Sequence, residues 1–306
     1  MPELDLPNDV PLDLVLTLRP LVRGQGDRTI RLASDRTWWT TRTRLGPATL
    51  VVRHGGDALR AQAWGPGADL ALGRVARLLG VGPDSRGLDD LLGGHDPRIE
   101  RMVRRHPGVR LSRTEAVLDA LVPAILEQKV TGTEARRAWQ GLVRAHGEPA
   151  PGPPELVAGL RLTPDPAILA ALPYYAYHQF GVERRRADLI RRVAARAAWF
   201  EAIVDLPLPE AYARLRSLPG IGPWTAAEVA VRALGDPDAV SVGDFHLPNL
   251  VAFALAGEAR GDDARMLELL EPFRGRRALV VRVLELSGLR APRYGPRCSP
   301  RGIEGI

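Results

Sequence analysis

The chain has 306 residues, of which 45% are apolar and 25% charged, as is ordinary for a globular protein of more than one domain. Its net charge of +6 favours an anionic partner such as nucleic acid, although almost all of the positive charge is arginine and Lys129 is the only lysine. The single cysteine, Cys298, excludes an internal disulfide, a zinc site with several cysteine ligands and an iron–sulfur cluster held by the chain's own thiolates.

The start of the sequence, MPELDLPNDVPLDL, has neither a basic segment nor an apolar one. The rest of the chain has no run of 18 apolar residues that could form a membrane-spanning helix. We therefore expect a cytoplasmic protein without a membrane partner.

The first hundred residues are rich in short β-type segments. Stretches 14–18, 29–32 and 38–44 are rich in Val, Ile, Thr, Leu or Trp, and 47–65 contains two alternating runs around Gly55-Gly56, which predicts a hairpin. A helical pattern begins at Pro66. We expect an α+β protein that begins with a small mixed α/β domain over residues 1–105.

The chain after residue 105 is almost wholly helical in pattern. The segment 112–147 begins with Ser112 and Glu115 in the spacing of a capping box, contains Pro123 as a kink or restart, and ends at Gly147. Further helices are predicted at 166–172, 183–199, 208–217, 223–234, 246–256, 263–271 and 275–288.

Two closely spaced glycines lie between predicted helices in "LPGIGPWTA" (218–226). A dinucleotide-binding fingerprint would need a third glycine where Thr225 stands, and a strand where the preceding spacing is helical. Two interpretations remain open from the residues alone. The segment is either a structural joint between helices or a helix-hairpin-helix turn that holds a phosphate.

The second interpretation has a physical basis. Gly220 and Gly222 allow a tight turn and close approach of a partner, and Pro223 suits the first position of the following helix. The free amides at that helix start, together with the helix dipole, can bind one phosphate without reading sequence.

The segment "LPGIGPWTAAEVAVRALGDPDAVSVGDFHL" (218–247) resembles the hairpin, loop and aspartate of helix-hairpin-helix base-excision DNA glycosylases, most closely the bacterial 3-methyladenine DNA glycosylase II branch. The similarity extends to "ALVPAILEQKVTGTEARRAW" (120–139) and "FGVERRRADLIRRVA" (180–194). The resemblance implies a glycosylase domain over 106–306, with two helical subdomains beside an active-site cleft. It also implies double-stranded DNA with damaged bases as the partner of a monomer.

Asp244 occupies the position of the family's loop aspartate. Cleavage of an N-glycosidic bond builds positive charge on the sugar, and a nearby carboxylate can stabilise that charge and orient a water molecule. The alternative is that Asp244 only caps the following helix, and both roles could coexist. His246 is interpreted as a cap or surface residue, with a general-base or metal role as the alternative.

Trp224 stands where family members that cleave the strand carry a lysine, and we expect no other lysine nearby. The resemblance therefore implies a monofunctional glycosylase that uses water, has no lyase activity and needs no cofactor. The absence of the four cysteines found in related branches also favours the alkylation-repair branch.

The family's aromatic pocket receives the flipped, often cationic, base. Trp224 matches a pocket tryptophan, with a core role as the alternative, whereas Glu228 and Arg282 stand where the pocket usually has a tyrosine and a tryptophan. Glu228 could favour a cationic base or pair with an arginine to form a different pocket. A non-catalytic DNA-binding or damage-sensing protein is therefore the rival function.

The remaining implied contacts lie at the hairpin. Gln128 is a candidate to fill the gap left by the flipped base, with solvation at a helix surface as the alternative. The backbone carbonyls of Arg216, Leu218 and Ile221 are expected to bind a structural Na⁺ or K⁺ ion. The expected DNA-binding residues are Gln128, Gly220, Ile221, Gly222, Pro223 and Thr225.

Overall fold

The computed structural model describes residues 2–7, 11–54, 58–82, 85–93 and 96–292. One antiparallel sheet of five strands occupies the N-terminal part, in the spatial order β1-β5-β4-β3-β2. The strands are β1 (Glu3–Pro7), β2 (Ile30–Leu32), β3 (Arg36–Thr43), β4 (Gly46–His54) and β5 (Ala58–Trp64). The predicted hairpin is confirmed as β4 and β5, while its Gly55-Gly56 turn lies outside the described residues.

The expected strand at 14–18 is wrong, because α1 (Leu14–Leu18) is a helix. The Asp13 side chain accepts a hydrogen bond from the Leu16 amide at 2.8 Å and caps its start. Leu14, Thr17 and Leu18 are buried at helical spacing. A short apolar run is compatible with either element, and the cap before it is the local signal that favours the helix.

Helix α2 (Ala68–Leu78) packs on β4 and β5 and closes the first hydrophobic core. Its residues Val75 and Leu78 are buried against Leu50, Leu59 and other apolar residues of the sheet. The amphipathic pattern after Pro66 is therefore confirmed as a helix that covers one face of the sheet.

Twelve further helices are described, and the mixed N-terminal unit followed by a mostly helical body confirms the expected fold class. They are α3 (Pro97–Val103), α4 (Val117–Leu126), α5 (Gly132–His146), α6 (Pro154–Val157), α7 (Pro166–Ala171), α8 (Arg184–Ala194), α9 (Ala197–Glu201), α10 (Leu208–Arg216), α11 (Pro223–Val229), α12 (Leu247–Ala256), α13 (Asp263–Leu270) and α14 (Arg277–Leu286).

The helical body is built on two apolar cores. One core joins α4, α5, α8, α10 and α11, with Leu121, Ile190 and Leu215 fully buried in it. The other joins α12, α13 and α14 to the chain between Leu88 and Val109. The sequence-based boundary near residue 105 stays a prediction.

The predicted capping box at Ser112 and Glu115 is wrong. Helix α4 begins at Val117, and the Glu115 carboxylate instead binds the Arg77 guanidinium, with Nε–Oε1 at 2.6 Å. The capping box belongs to α5, where Thr131 and Glu134 bond reciprocally. Pro123 lies inside α4, and the chain breaks only after Leu126.

The start of α4 is capped by Glu201, a residue that is distant in sequence. The amides of Val117 and Leu118 donate to the two carboxylate oxygens of Glu201 at 3.0 and 2.7 Å. The next acid, Asp119, accepts from the Thr41 hydroxyl of β3 at 2.8 Å and thereby joins the sheet to the body. Loss of hydration raises the pKa of Asp119 to about 6 and that of Glu201 to about 7.

None of the described helices is long and apolar enough to cross a membrane.

We predict that Asp119→Asn stabilises the protein at pH 7.5 by about 1–3 kcal/mol. The raised pKa means that the native state retains a proton which the unfolded chain releases, so the stabilising contribution of Asp119 is lost as pH rises from 3.8 to about 6. Asparagine stays neutral, and its amide oxygen can accept from Thr41. Urea unfolding at pH 4.5 and 7.5 measures both effects, and a variant less stable than wild type at pH 7.5 would contradict the assignment.

Candidate active site

The glycine-containing turn lies between α10 and α11 and is closed by a hydrogen bond from the Ile221 amide to the Leu218 carbonyl at 3.0 Å. Gly220 has φ +109°, and a Cβ there would lie 2.9 Å from a Leu189 methyl group. Gly222 is the N-cap of α11 and has ordinary extended φ. Gly220 is therefore required by the backbone and by packing, whereas Gly222 is required by neither.

The N-terminal face of α11 is open. The amides of Gly222, Trp224 and Thr225 have no acceptor among the described residues, and a Cβ at Gly222 would meet nothing within 4 Å. Pro223 occupies the first helical position, as predicted. The helix continues beyond Val229 as a π-helical segment to Leu234.

Gln128 holds this turn from the other side. Its Nε2 donates to the Gly220 carbonyl at 3.0 Å and to the Thr225 hydroxyl at 2.9 Å. The next residue in the chain, Lys129, is exposed and has φ +55°. The one lysine of the chain is therefore the sequence neighbour of a residue that contacts the hairpin, and the expectation that no lysine serves there stays a prediction.

The Asp244 carboxylate is held by three donors. Its Oδ1 accepts from the amides of His246 at 2.7 Å and Leu247 at 2.8 Å, at the start of α12. Its Oδ2 accepts from the indole Nε1–H of Trp224 at 3.0 Å. One oxygen therefore caps the helix, while the other is fixed beside the hairpin with a lone pair to spare.

The loop backbone also contributes to this geometry. Gly243 has φ +93° and its amide donates to Oδ1 of Asp263 at 3.1 Å. Phe245 is 82% exposed, and its ring contacts the exposed His246 imidazole edge to face at 4.9 Å. The His246 side chain makes no cap hydrogen bond. No cluster of three or more metal-binding side chains occurs within the described ranges.

Glu228 pairs with an arginine, the second of the two possibilities left open by the sequence. Its Oε2 accepts from Nη1 of Arg232 at 2.5 Å, and its Oε1 accepts from the Ser241 hydroxyl at 2.5 Å. The carboxylate is mostly buried, with 14% of the side chain exposed. Both of its oxygens are therefore engaged within the protein.

Arg282 lies on α14, and its guanidinium donates to the Leu16 carbonyl of α1 at 2.7 Å and to Glu285 at 3.3 Å. Burial lowers the pKa of Arg282. These contacts tie α14 to the N-terminal unit. A role for Arg282 in lining a pocket stays a prediction.

The backbone positions expected to bind a cation lie in the same turn. The Leu218 carbonyl already accepts the Ile221 amide, and the side chains of Leu218 and Ile221 are buried while Arg216 is exposed. The cation site stays a prediction.

Sequence reasoning missed Arg232 and Ser241. Each is a common residue type without a motif around it, and only the fold brings them to Glu228. The i, i+4 spacing of Glu228 and Arg232 on a predicted helix was the one available signal.

No family model matches the chain. The chain is 32% identical over 179 residues to the probable bifunctional transcriptional activator/DNA repair enzyme AlkA of Mycobacterium tuberculosis, a match that covers 58% of this chain and 35% of that protein. It is 27% identical over 180 residues to DNA-3-methyladenine glycosylase 2 of Escherichia coli, covering 58% of this chain and 60% of that one. The match thus spans less than two thirds of either relative.

The fold is similar to that of 3-methyladenine DNA-glycosylase from Archaeoglobus fulgidus, with a TM-score of 0.76, 18% identity, and coverage of 94% of this chain and 98% of that one. The resemblance to the 3-methyladenine DNA glycosylase II branch is therefore confirmed in sequence over 58% of the chain, and the fold agrees with it.

We predict that Asp244→Ala lowers the free energy of unfolding by about 1 kcal/mol, because the start of α12 loses its acceptor. Asp244→Asn should lose less, since its amide oxygen can accept from the same two amides, although its NH2 group cannot accept from the Trp224 indole. Urea unfolding of the two variants makes the comparison. Equal losses in both would show that the cap does not contribute as described.

Proposed function

We propose that this protein is a monomeric, monofunctional DNA glycosylase that flips alkylated, 3-methyladenine-like bases out of duplex DNA and hydrolyses their N-glycosidic bonds. The observation that carries the proposal is the Asp244 carboxylate, held by Trp224 and by the start of α12 next to a hairpin with free amides. The activities in the names of the relatives support this class of reaction and do not favour a purely DNA-binding role.

The hairpin is proposed to dock on one DNA phosphate. The amides of Gly222, Trp224 and Thr225 have no acceptor among the described residues and lie at the positive end of α11, and the space around Gly222 is open. The net charge of +6 supplies the longer-range attraction. This contact positions the chain on DNA, and the chemistry takes place at Asp244.

The reaction is hydrolysis at C1′ of the damaged nucleotide. As the base leaves with the bonding electrons, positive charge grows on the sugar, and the Asp244 carboxylate stabilises it. A water molecule then supplies hydroxide to C1′ and its proton is released. Of the two oxygens, Oδ2 is the one we assign to this role, because Oδ1 is occupied by two backbone amides.

Trp224 is proposed to bind the flipped base. Its Nε1–H is committed to Asp244, so the plane of the indole is fixed and its face is available for a cationic purine. Glu228 contributes less net negative charge to the pocket than an unpaired carboxylate would, because the Arg232 guanidinium is hydrogen-bonded to it. Selection by stacking suits an alkylated base, which is already a good leaving group.

Two further contacts extend the proposal. Gln128 would fill the gap in the duplex by exchanging its bonds to Gly220 and Thr225 for contacts with DNA. A monovalent cation bound by the carbonyls of Arg216, Leu218 and Ile221 would support the turn.

The decisive experiment measures release of free base from methylated duplex DNA by wild type and Asp244→Asn. We expect release by wild type and a loss of at least about 100-fold in the variant. No release by wild type would favour the DNA-binding alternative, whereas release unaffected by the substitution would refute the role of Asp244.

The same samples test the absence of lyase activity. We expect an intact abasic strand and no covalent complex after borohydride treatment. Strand cleavage would contradict this, and its loss in Lys129→Arg would then identify Lys129, an exposed residue next to Gln128, as the nucleophile.

We predict that Gly222→Ser weakens binding to duplex DNA about tenfold, because the new hydroxyl occupies the α11 amides that a phosphate would take. Serine is a favourable N-cap at the φ of −90° found here, so stability should be unchanged or higher. Fluorescence anisotropy and thermal unfolding measure the two quantities.

Gly220→Ala is the comparison variant for the effect of a side chain on stability. It should lose about 1–3 kcal/mol of stability, because its positive φ and the Leu189 contact disfavour a side chain. Unchanged DNA affinity in Gly222→Ser would contradict phosphate docking at this helix start.

A further inference from the structure

We propose that Glu228 and Ser241 are positioning residues for the Asp244 carboxylate, and that their hydrogen bond fixes the loop 241–244 on α11. This inference rests on the proposed function. It gives Glu228 a role that requires no contact with the base.

The loop is attached to α11 at two points on one face of the helix. Trp224 and Glu228 are four residues apart, which places their side chains one above the other. Trp224 donates to Oδ2 of Asp244 at 3.0 Å, and Glu228 accepts from the Ser241 hydroxyl at 2.5 Å. The two attachments hold the two ends of the loop.

The loop between these points is a tight turn. The Asp244 amide donates to the Ser241 carbonyl at 3.2 Å, and the intervening Gly243 has φ +93°. Gly243 is itself held by the bond from its amide to Asp263. Because the turn is short and internally bonded, a displacement of Ser241 is passed on to Asp244.

The acceptor of the Ser241 bond is also fixed. Arg232 donates through Nη1 to both the carboxylate and the backbone carbonyl of Glu228, and through Nε to the Pro20 carbonyl at 3.3 Å. Burial lowers the pKa of Arg232, but the carboxylates of Glu228 and Glu127 raise it by more, so the guanidinium stays charged. The Arg232 guanidinium thereby holds the Glu228 carboxylate in one orientation.

This arrangement accounts for a carboxylate where the family pattern expects a tyrosine. The engaged Glu228 oxygens serve the loop, and the charge of the carboxylate is balanced by Arg232. Removal of the Ser241 hydroxyl would leave a mostly buried acceptor unsatisfied and free the loop to move. A small misplacement of a reacting group lowers the rate of the chemical step by about 10- to 100-fold.

The test compares Ser241→Ala, Ser241→Thr and the control Ser287→Ala, which removes a hydroxyl bonded only within and just after α14. We expect Ser241→Ala to lower the single-turnover rate of base release at least about tenfold. Its Kd for duplex DNA should stay within about twofold, and Ser241→Thr should restore the rate because it keeps the hydroxyl. Ser287→Ala should match wild type.

A second readout does not depend on activity. In protein labelled with ¹⁵N-tryptophan, the indole N–H signal of Trp224, assigned with Trp224→Phe, reports its bond to Asp244. We expect the chemical shift of that signal to differ from wild type in Ser241→Ala and to match wild type in Ser241→Thr.

The outcomes separate the two proposals. Base release by wild type with an unchanged rate in Ser241→Ala overturns the positioning role, as does an unchanged indole signal. No base release by wild type overturns the proposed function, while the indole signal still decides whether Ser241 positions Asp244.

Discussion

The hydrogen bond between the Trp224 indole and the Asp244 carboxylate joins the two halves of the candidate site. It ties the loop before α12 to the start of α11, and these elements bury their apolar faces in different cores. The carboxylate therefore lies at the junction of two packing units. The relative placement of those units sets the direction in which its free lone pair points.

That junction explains why one aspartate can both cap a helix and face a substrate. The two amides of α12 occupy one oxygen and remove its freedom to rotate, and the indole fixes the other. These three donors hold the carboxylate itself, while the bond between Ser241 and Glu228 holds the start of the loop that carries it. An ionised carboxylate is the form that stabilises positive charge on a sugar.

The sequence was sufficient for the parts of the structure that have local causes. The hairpin glycines, Pro223 and Asp244 follow from spacing and from the family resemblance, and most helices follow from apolar periodicity. It failed at 14–18, where the local cap by Asp13 was overlooked, and at positions whose partners lie far away in the chain. Ser112 and Glu115 have the spacing of a capping box. Glu115 instead forms an ion pair with Arg77, and helix α4 begins only at Val117. The Ser241–Glu228 bond could not be predicted either, because it depends on where the loop folds back.

Gln128 lies two residues beyond the end of helix α4, and the first amides of that helix are satisfied by Glu201, more than 80 residues later in the chain. During synthesis, α4 leaves the ribosome well before the segment that supplies its cap. The N-cap residue of α4 supplies no side-chain cap, so this helix start depends on a residue that is synthesised later. The bonds from Gln128 to Gly220 and Thr225 need residues that follow later still, so a truncated chain that ends before residue 201 would lack both the cap and these bonds.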